Sequence, residues 1–359
     1  MKIAIFGAGQ LAMMMVQADT EKKHEYTVID PSESPPASKY AEHLQTEYSD
    51  SHTIKKISNN FDLATIDFEN VDVSAMYEVE KKIPVHPSPR ALEICQDRIK
   101  EKNLFKLLEI NTTNYCEINS LKDLKYNVDD KKSYILKTRR FGYDGKNQHR
   151  IYPDTHFSTD LISSPCILEE LVEFQAEVSL IAVRSVDGAV FFYPLVENQH
   201  KDGILDMSIY PSNYQHLQKS AENIGRKLLE KMDYVGVLVV EFFIDKNDEL
   251  VANEMAPRVH NSGHWTIEGS NISQFSAHIS AITNTMNFEE LRLKPSFMYN
   301  IISNHVTEEK ILQLSKQFDM YFHDYHKSSR NKRKLGHITC TVEDKDKLKE
   351  KIQEFKSII

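Results

Sequence analysis

Residues 235–266 read VGVLVVEFFIDKNDELVANEMAPRVHNSGHWT. Two apolar runs flank a Lys-Asn-Asp segment, which is the signature of a β-hairpin. A turn centred between Asn247 and Asp248 makes Glu241 and Glu254 direct cross-strand partners, so both carboxylates leave the same face of a sheet side by side. Like charges so placed repel unless a cation or a proton lies between them. Glu241 also sits inside an otherwise apolar strand, which argues against a solvated surface pair. Mg2+ is the natural cation, a hard ion that takes oxygen ligands and is usually shared with substrate phosphates, and Asn253 offers a further oxygen. The second strand then runs into a turn-rich stretch holding Arg258, His260, Asn261, Ser262 and His264. The two histidines flank Asn-Ser-Gly and lack the His-Glu-x-x-His pattern, so a zinc pair is not indicated.

Working outward towards the N-terminus, KIAIF, LAMMMVQA, YTVID, LATIDF, VSAMYEVEKK and IPVHP alternate strand and helix patterns over the first ninety or so residues, the mark of βαβ units on a parallel sheet. Gly7, Gly9 and Ala12 fit G-x-G-x-x-A after the first strand and Asp30 ends the second, which imitates a dinucleotide-binding fingerprint. An NAD(P)-dependent oxidoreductase is therefore one alternative, although any tight strand-to-helix turn needs small residues, and this reading leaves Glu241 and Glu254 unexplained. The same turn offers helix N-terminal N–H groups to a substrate phosphate. Met13, Met14 and Met15 read as packing residues.

From about residue 113 the pattern becomes α+β with mostly antiparallel strands. SYILKTRR is a strand carrying Lys137, a point charge for phosphates, and FGYDGKNQ at 141–148 is a glycine-containing turn able to close over them and exclude water. EVSLIAVRSV and AVFFYPLVE form a hairpin about an Asp-Gly turn.

At 359 residues the chain suits two or three domains, and its 40% hydrophobic and 27% charged residues exclude a disordered polymer. No apolar run reaches the length of a membrane span, and MKIAIFGAGQ lacks a cleavage site, so a cytoplasmic protein with no membrane partner is expected. A net charge of −9 gives nucleic acid no overall attraction. Cys95, Cys116, Cys166 and Cys340 are scattered and read as ordinary thiols.

With these pieces in order, the chain resembles the ATP-grasp enzymes, and within them the N5-carboxyaminoimidazole ribonucleotide synthetase (PurK) family. GAGQLA, DFENV at 67–71, QDRIKEK at 96–102, ILKTRRFGYDGK, ILEELVEFQAEVSL, YPLVENQHKDGIL, NEMAPRVHNSGHWT and RKLGH at 333–337 carry the resemblance over nearly the whole chain. It implies an N-terminal Rossmann-like pre-ATP-grasp domain over 1–95, an ATP-grasp region over 96–295 with a small lobe at 113–172 and a large lobe at 173–295, and a small C-terminal α/β domain over 296–359. It implies a ligase in which ATP and bicarbonate give carboxyphosphate, which carboxylates the exocyclic amine of 5-aminoimidazole ribonucleotide in purine biosynthesis, and it implies a homodimer.

Carried over by position, the resemblance implies an ATP site of Arg98 and Lys137 on the phosphates, the loop Gly142, Tyr143, Asp144, Gly145, Lys146, Asn147 and Gln148 over them, and Glu169, Glu170, Leu171 and Val172 as the adenine hinge. Glu177, His200, Asn253 and Glu254 complete it, with Glu241 and Glu254 on Mg2+. Tyr143, Asp144, Arg258, His260 and Lys334 are the implied catalytic residues. Gly9, Gln10, Leu11, Asn261, Ser262, Arg330 and Lys334 are the implied substrate contacts. Asn147 stands where the family more often has glycine, and asparagine tolerates left-handed backbone. Within the same superfamily a formate-dependent glycinamide ribonucleotide transformylase is the other alternative, and HNSGHW distinguishes the imidazole carboxylase from it.

Overall fold

Two strands of the N-terminal sheet, Lys2–Phe6 beyond its exposed first residue and Leu63–Ile66, are buried on both faces, as parallel strands covered by helices must be. A computed structural model describes residues 1–142, 148–158, 161–286, 290–303, 309–310, 313–314 and 320–359. β1 (Lys2–Phe6), β2 (Glu25–Asp30), β3 (Glu42–Gln45), β4 (Leu63–Ile66) and β5 (Val85–His86) pair in parallel in the order β3-β2-β1-β4-β5. α1 (Gln10–Ala18), α2 (Ser51–Asn60) and α3 (Val73–Glu80) connect them. Met13, Met14 and Met15 are buried in a cluster with Ile3, Val237 and Phe275, so they pack the N-terminal sheet against the large lobe.

The glycine turn after β1 is occupied by the chain itself. Gly7 has φ +100°, and a Cβ there would fall 1.6 Å from the Asp67 Oδ1, so both the backbone angle and the close carboxylate demand glycine. Asp67 accepts the N–H groups of Gly9 at 2.7 Å and Ala12 at 3.3 Å, and Asp30 accepts the Ala8 N–H at 3.3 Å. The sequence reading of this turn as N–H groups awaiting a phosphate or a dinucleotide is corrected: two carboxylates fill the anion position at the head of α1.

α4 (Pro89–Cys95) and α5 (Arg98–Leu107), the latter capped by the Asp97 carboxylate on the N–H of Ile99, lead into an antiparallel sheet. Its strands β6 (Tyr115–Ile118), β7 (Tyr134–Thr138), β8 (Gln148–Ile151) and β9 (Cys166–Glu170) lie in the order β6-β9-β7-β8, with α6 (Leu121–Asn127) against it. The larger sheet comprises β10 (Phe174–Arg184), β11 (Val190–Phe192), β12 (Val196–Lys201), β13 (Ile204–Tyr210), β14 (Gly236–Asp245), β15 (Leu250–Ala256), β16 (Ser296–Ile302), β17 (Met320–Asp324) and β18 (Lys334–Thr341). The order is β15-β14-β10-β12-β13-β16-β18-β17, with β11 beside β10. α7 (Gln218–Lys231), the short α8 (Thr266–Gly269) and α9 (Gln274–Ile282) accompany it.

β16 pairs with β13 from Met207↔Tyr299 to Tyr210↔Ser296, so the C-terminal segment extends the sheet of the large lobe. It nevertheless keeps its own apolar cluster, in which Phe297, Tyr299, Ile338, Leu348 and Phe355 bury the helix Lys345–Ile358 against β16 and β18.

His278 on α9 joins three elements. Its Nδ1 accepts the Val237 N–H at 3.1 Å, which leaves Nε2 to donate to the Thr65 hydroxyl of the N-terminal sheet at 2.9 Å. Burial, with His86 nearby, pushes its pKa down to about 3. The folded state thus keeps His278 neutral while the unfolded chain takes up a proton below about 6.5, so stability present at pH 7 is lost as pH falls towards 3. The stability advantage of the native protein over His278→Gln shrinks by about 2 kcal/mol between pH 7 and pH 5, measured by urea unfolding at each pH. An advantage that does not change with pH contradicts this.

Candidate active site

A cleft of about 630 Å³ lies between the small antiparallel sheet and the larger one, and its floor is the β14–β15 hairpin. Glu241 and Glu254 are direct partners there, as the sequence pattern requires, but by a different route. The register runs Val239↔Ala256, Val240↔Met255, Glu241↔Glu254 and then Phe242↔Ala252, which makes Asn253 the extra residue of a β-bulge. Near the turn Ile244 faces Leu250, a register that without the bulge places Asn253 opposite Glu241. The bulge restores the carboxylate pair.

The two acids differ in electrostatic state. Glu254 accepts a hydrogen bond from Arg98 Nη1 at 2.7 Å, and although burial alone raises its pKa, Arg98 and Lys137 outweigh that and hold it low. Glu241 faces Glu254 on one side and His260 Nδ1 at 3.6 Å on the other, and burial followed by the Glu254 charge pushes it up. His260 is kept neutral at pH 7 by burial and then by Arg258, and its Nδ1 accepts the Ser262 N–H at 3.3 Å, so the ring proton is on Nε2. An ionised Glu241 therefore lacks a counter-charge in contact, which is the condition a divalent cation satisfies. Among the described residues no group of three His, Cys, Asp or Glu is arranged as a metal cage, so a cation held here by two carboxylates completes its shell with phosphate and water oxygens. The donor set fits Mg2+.

Lys137 on β7 makes an ion pair with Glu169 at 2.5 Å, and the buried Lys102 approaches the other Glu169 oxygen at 3.5 Å. Burial favours the neutral acid, but Lys137 and Lys102 overcome it and hold Glu169 down to about 2. Its carboxylate is thus engaged by the chain's own lysines. The hinge N–H groups of Glu170 and Leu171 are committed to the carbonyls of Asn114 and Ser133, each at 2.9 Å, while the Glu170 carboxylate binds Lys132 at 2.8 Å. Val172 follows on the cleft wall. Glu177 and His200, on adjacent strands β10 and β12, form a 2.8 Å pair, and although burial lowers the His200 pKa, Glu177 and then Glu241 raise it overall.

Gly142, Gln148, Asn253, Arg258, Asn261 and Lys334 also line the cleft. Both polar atoms of the Asn261 side chain are buried at the cleft wall without a hydrogen-bond partner among the described residues. Gly9, Gln10, Leu11, Ser262 and Arg330 do not line it. The Gly9 N–H is held by Asp67, the Gln10 side chain meets Lys327, Leu11 is buried, the Ser262 hydroxyl bonds His260 at 2.9 Å, and Arg330 is exposed. Tyr143, Asp144, Gly145, Lys146 and Asn147 lie outside the described residues.

The sequence reading passed over several lining residues. Glu69, inside DFENV, hydrogen-bonds Arg258 and so ties the N-terminal domain to the segment after β15. Phe174 and Phe243 stack with centroids 4.7 Å apart and line the apolar end beside Leu171. Arg139 and Arg140 follow Lys137 and are tied to Asp97 at 2.7 Å and Gln96 at 2.6 Å. Their signal was the unbroken run Lys-Thr-Arg-Arg at a strand end.

Known proteins share this arrangement throughout. The ribonucleotide synthetase preATP-grasp domain family matches residues 1–96, the ATP-grasp domain family residues 103–275, and the phosphoribosylaminoimidazole carboxylase C-terminal domain family residues 296–351. An N5-carboxyaminoimidazole ribonucleotide synthase of Pseudomonas aeruginosa is 38% identical over 100% of this chain and 99% of its own. The chain belongs to the N5-carboxyaminoimidazole ribonucleotide synthase family. A Bacillus subtilis member is 33% identical over 98% of this chain and 94% of its own. The crystal structure of the synthetase from Thermus thermophilus superposes with a TM-score of 0.90 at 36% identity, covering 99% of this chain and 98% of that one. The synthase from Aspergillus clavatus in complex with ADP and 5-aminoimidazole ribonucleotide gives 0.88 at 26% identity, covering 99% and 98%.

The Glu69–Arg258 contact sets a test within this synthase family's cleft. A double-mutant cycle of Glu69→Gln and Arg258→Met on unfolding free energy gives a coupling of about 1–3 kcal/mol, because either single change takes this ion-pair partner from the other, partly buried charge. Additive effects mean the bridge holds nothing together.

Proposed function

We propose that this chain carries out the ATP-dependent carboxylation of 5-aminoimidazole ribonucleotide by bicarbonate, giving N5-carboxyaminoimidazole ribonucleotide, ADP and phosphate. The observation that carries the proposal is the opposed Glu241–Glu254 pair, facing Arg98 and Lys137 across the cleft of a chain related to these synthases along its whole length. A nucleotide phosphate chain takes Arg98 and Lys137 as its partners, in place of Glu254 and Glu169. The adenine lies beside Leu171, Val172 and Phe243, held by hinge backbone. Glu241 and Glu254 would hold Mg2+, which would supply positive charge to offset the negative charge of the phosphoryl group being transferred.

In the first step a bicarbonate oxygen bonds to the γ-phosphorus as the bond to the β-γ bridging oxygen breaks, leaving ADP and carboxyphosphate. In the second the substrate amine attacks the carboxyphosphate carbon, phosphate leaves, and the amine loses a proton. Arg258, held by Glu69, supplies fixed positive charge to the carboxyphosphate oxygens. Neutral His260 offers its Nε2–H, and the unpartnered Asn261 amide offers donor and acceptor to the aminoimidazole. Lys334 adds a cation at the same wall. Enclosure matters because carboxyphosphate exposed to water hydrolyses.

Purified protein with Mg·ATP is expected to release ADP only when 5-aminoimidazole ribonucleotide is present, faster with added bicarbonate, and at least about 100-fold more slowly in Glu254→Gln. Release confined to formate plus glycinamide ribonucleotide transfers the assignment to the transformylase. A melting temperature raised by Mg·ADP more than by ADP with EDTA, with the difference lost in Glu241→Gln, checks the metal separately; equal shifts remove it.

A further inference from the structure

α5 presents Arg98, Glu101 and Lys102 on one face, since residues three and four apart are neighbours on a helix. All three reach the same four residues of β15. Arg98 binds the Glu254 carboxylate at 2.7 Å. Lys102 Nζ donates to the Asn253 carbonyl at 2.8 Å and to the Ala252 carbonyl at 3.4 Å. Glu101 Oε1 accepts the Met255 N–H at 2.6 Å. Glu101 and Lys102 are 2% and 1% exposed, so each is an ionisable group taken out of water.

A bulge at an edge strand leaves backbone groups without ladder partners, and those groups need bonds from somewhere. Neutral side chains satisfy such groups at far smaller desolvation cost than a buried carboxylate and ammonium. Glu101 and Lys102 are adjacent in sequence and grip the backbone on either side of one residue, Glu254. Lys102 fixes the peptide entering it and Glu101 the peptide leaving it, while the bulge turns its side chain to face Glu241.

We propose that Glu101 and Lys102 are positioning residues that set the direction of the Glu254 carboxylate towards the nucleotide-bound metal. The inference rests on the reading of Glu254 as a metal ligand. Lys102 also neutralises Glu169, so its replacement disturbs Lys137 as well, and Glu101, whose hydrogen bond is to Met255, is the cleaner position to test.

The test measures ADP affinity by calorimetry in EDTA and in Mg2+, together with steady-state kcat and KM for ATP, in the full-length native protein, Glu101→Met, Glu101→Asp and Glu101→Gln. Glu101→Met removes the acceptor at nearly constant volume and is expected to lower kcat by about 10–100-fold, with KM for ATP moving less than about threefold. Its ADP affinity in EDTA stays within about twofold of native while the tightening by Mg2+ is largely lost. Glu101→Asp, with a shorter reach, moves the same way by less and serves if Glu101→Met does not fold. Glu101→Gln keeps the acceptor oxygen and recovers most of the loss. If the native protein shows tightening by Mg2+ and Glu101→Met and Glu101→Asp keep all of it with native kcat, the positioning role is overturned alone. If the native protein shows no tightening, the metal reading of Glu254 falls and takes this role with it.

Discussion

An ionised group withdrawn from water must meet opposite charge or donors nearby, and that requirement organises this protein from the first turn to the cleft floor. Asp67 is met by the N–H groups at the head of α1, Glu69 by Arg258, Glu169 by Lys137 and Lys102, Glu177 by His200, and Glu254 by Arg98. Glu241 is different, facing neutral His260 and a second carboxylate. The charges of the cleft are therefore balanced by pairs internal to the chain, with one carboxylate, Glu241, facing no cation in contact among the described residues. Binding of a polyanion together with a divalent cation is then an exchange of partners and not the creation of charge in a dry site.

Much of this was legible in sequence because it depends on local alternation. A period of two and a turn near Asn247 suffice to bring Glu241 and Glu254 onto one face, and a strand reading of SYILKTRR suffices to aim Lys137. The opposed pair emerged correctly even though the turn closes one residue short of the placement read from the pattern, because the bulge at Asn253 compensates. Nothing in the alternation of LVANEMA announces that bulge. The side chains that bond the backbone on either side of Glu254 lie on α5, some 150 residues earlier in the chain.

The readings that failed share that non-local character. G-x-G-x-x-A with a following acid looks alike whether the N–H groups of the turn wait for a phosphate or already hold Asp67. The composition shift near residue 296 does mark a segment with its own apolar cluster, but the pairing of β16 with β13 that joins it to the large sheet is again non-local. Glu69 escaped notice because its partner Arg258 is 189 residues away, and no spacing rule spans such a distance.

The continuous sheet from β15 to β17 has a mechanical meaning. Strands joined edge to edge through backbone hydrogen bonds do not shear past one another, so the large lobe and the C-terminal segment carry Glu241, Glu254, His200 and Lys334 as one rigid plate. Among the described residues the small sheet, with Lys137 and the hinge, pairs with no strand of that plate. Contact between the two sheets runs through side chains of α5, Arg98 reaching Glu254 on one and Lys102 reaching Glu169 on the other, so any relative rotation of the sheets changes the separation of Lys137 from the acidic pair.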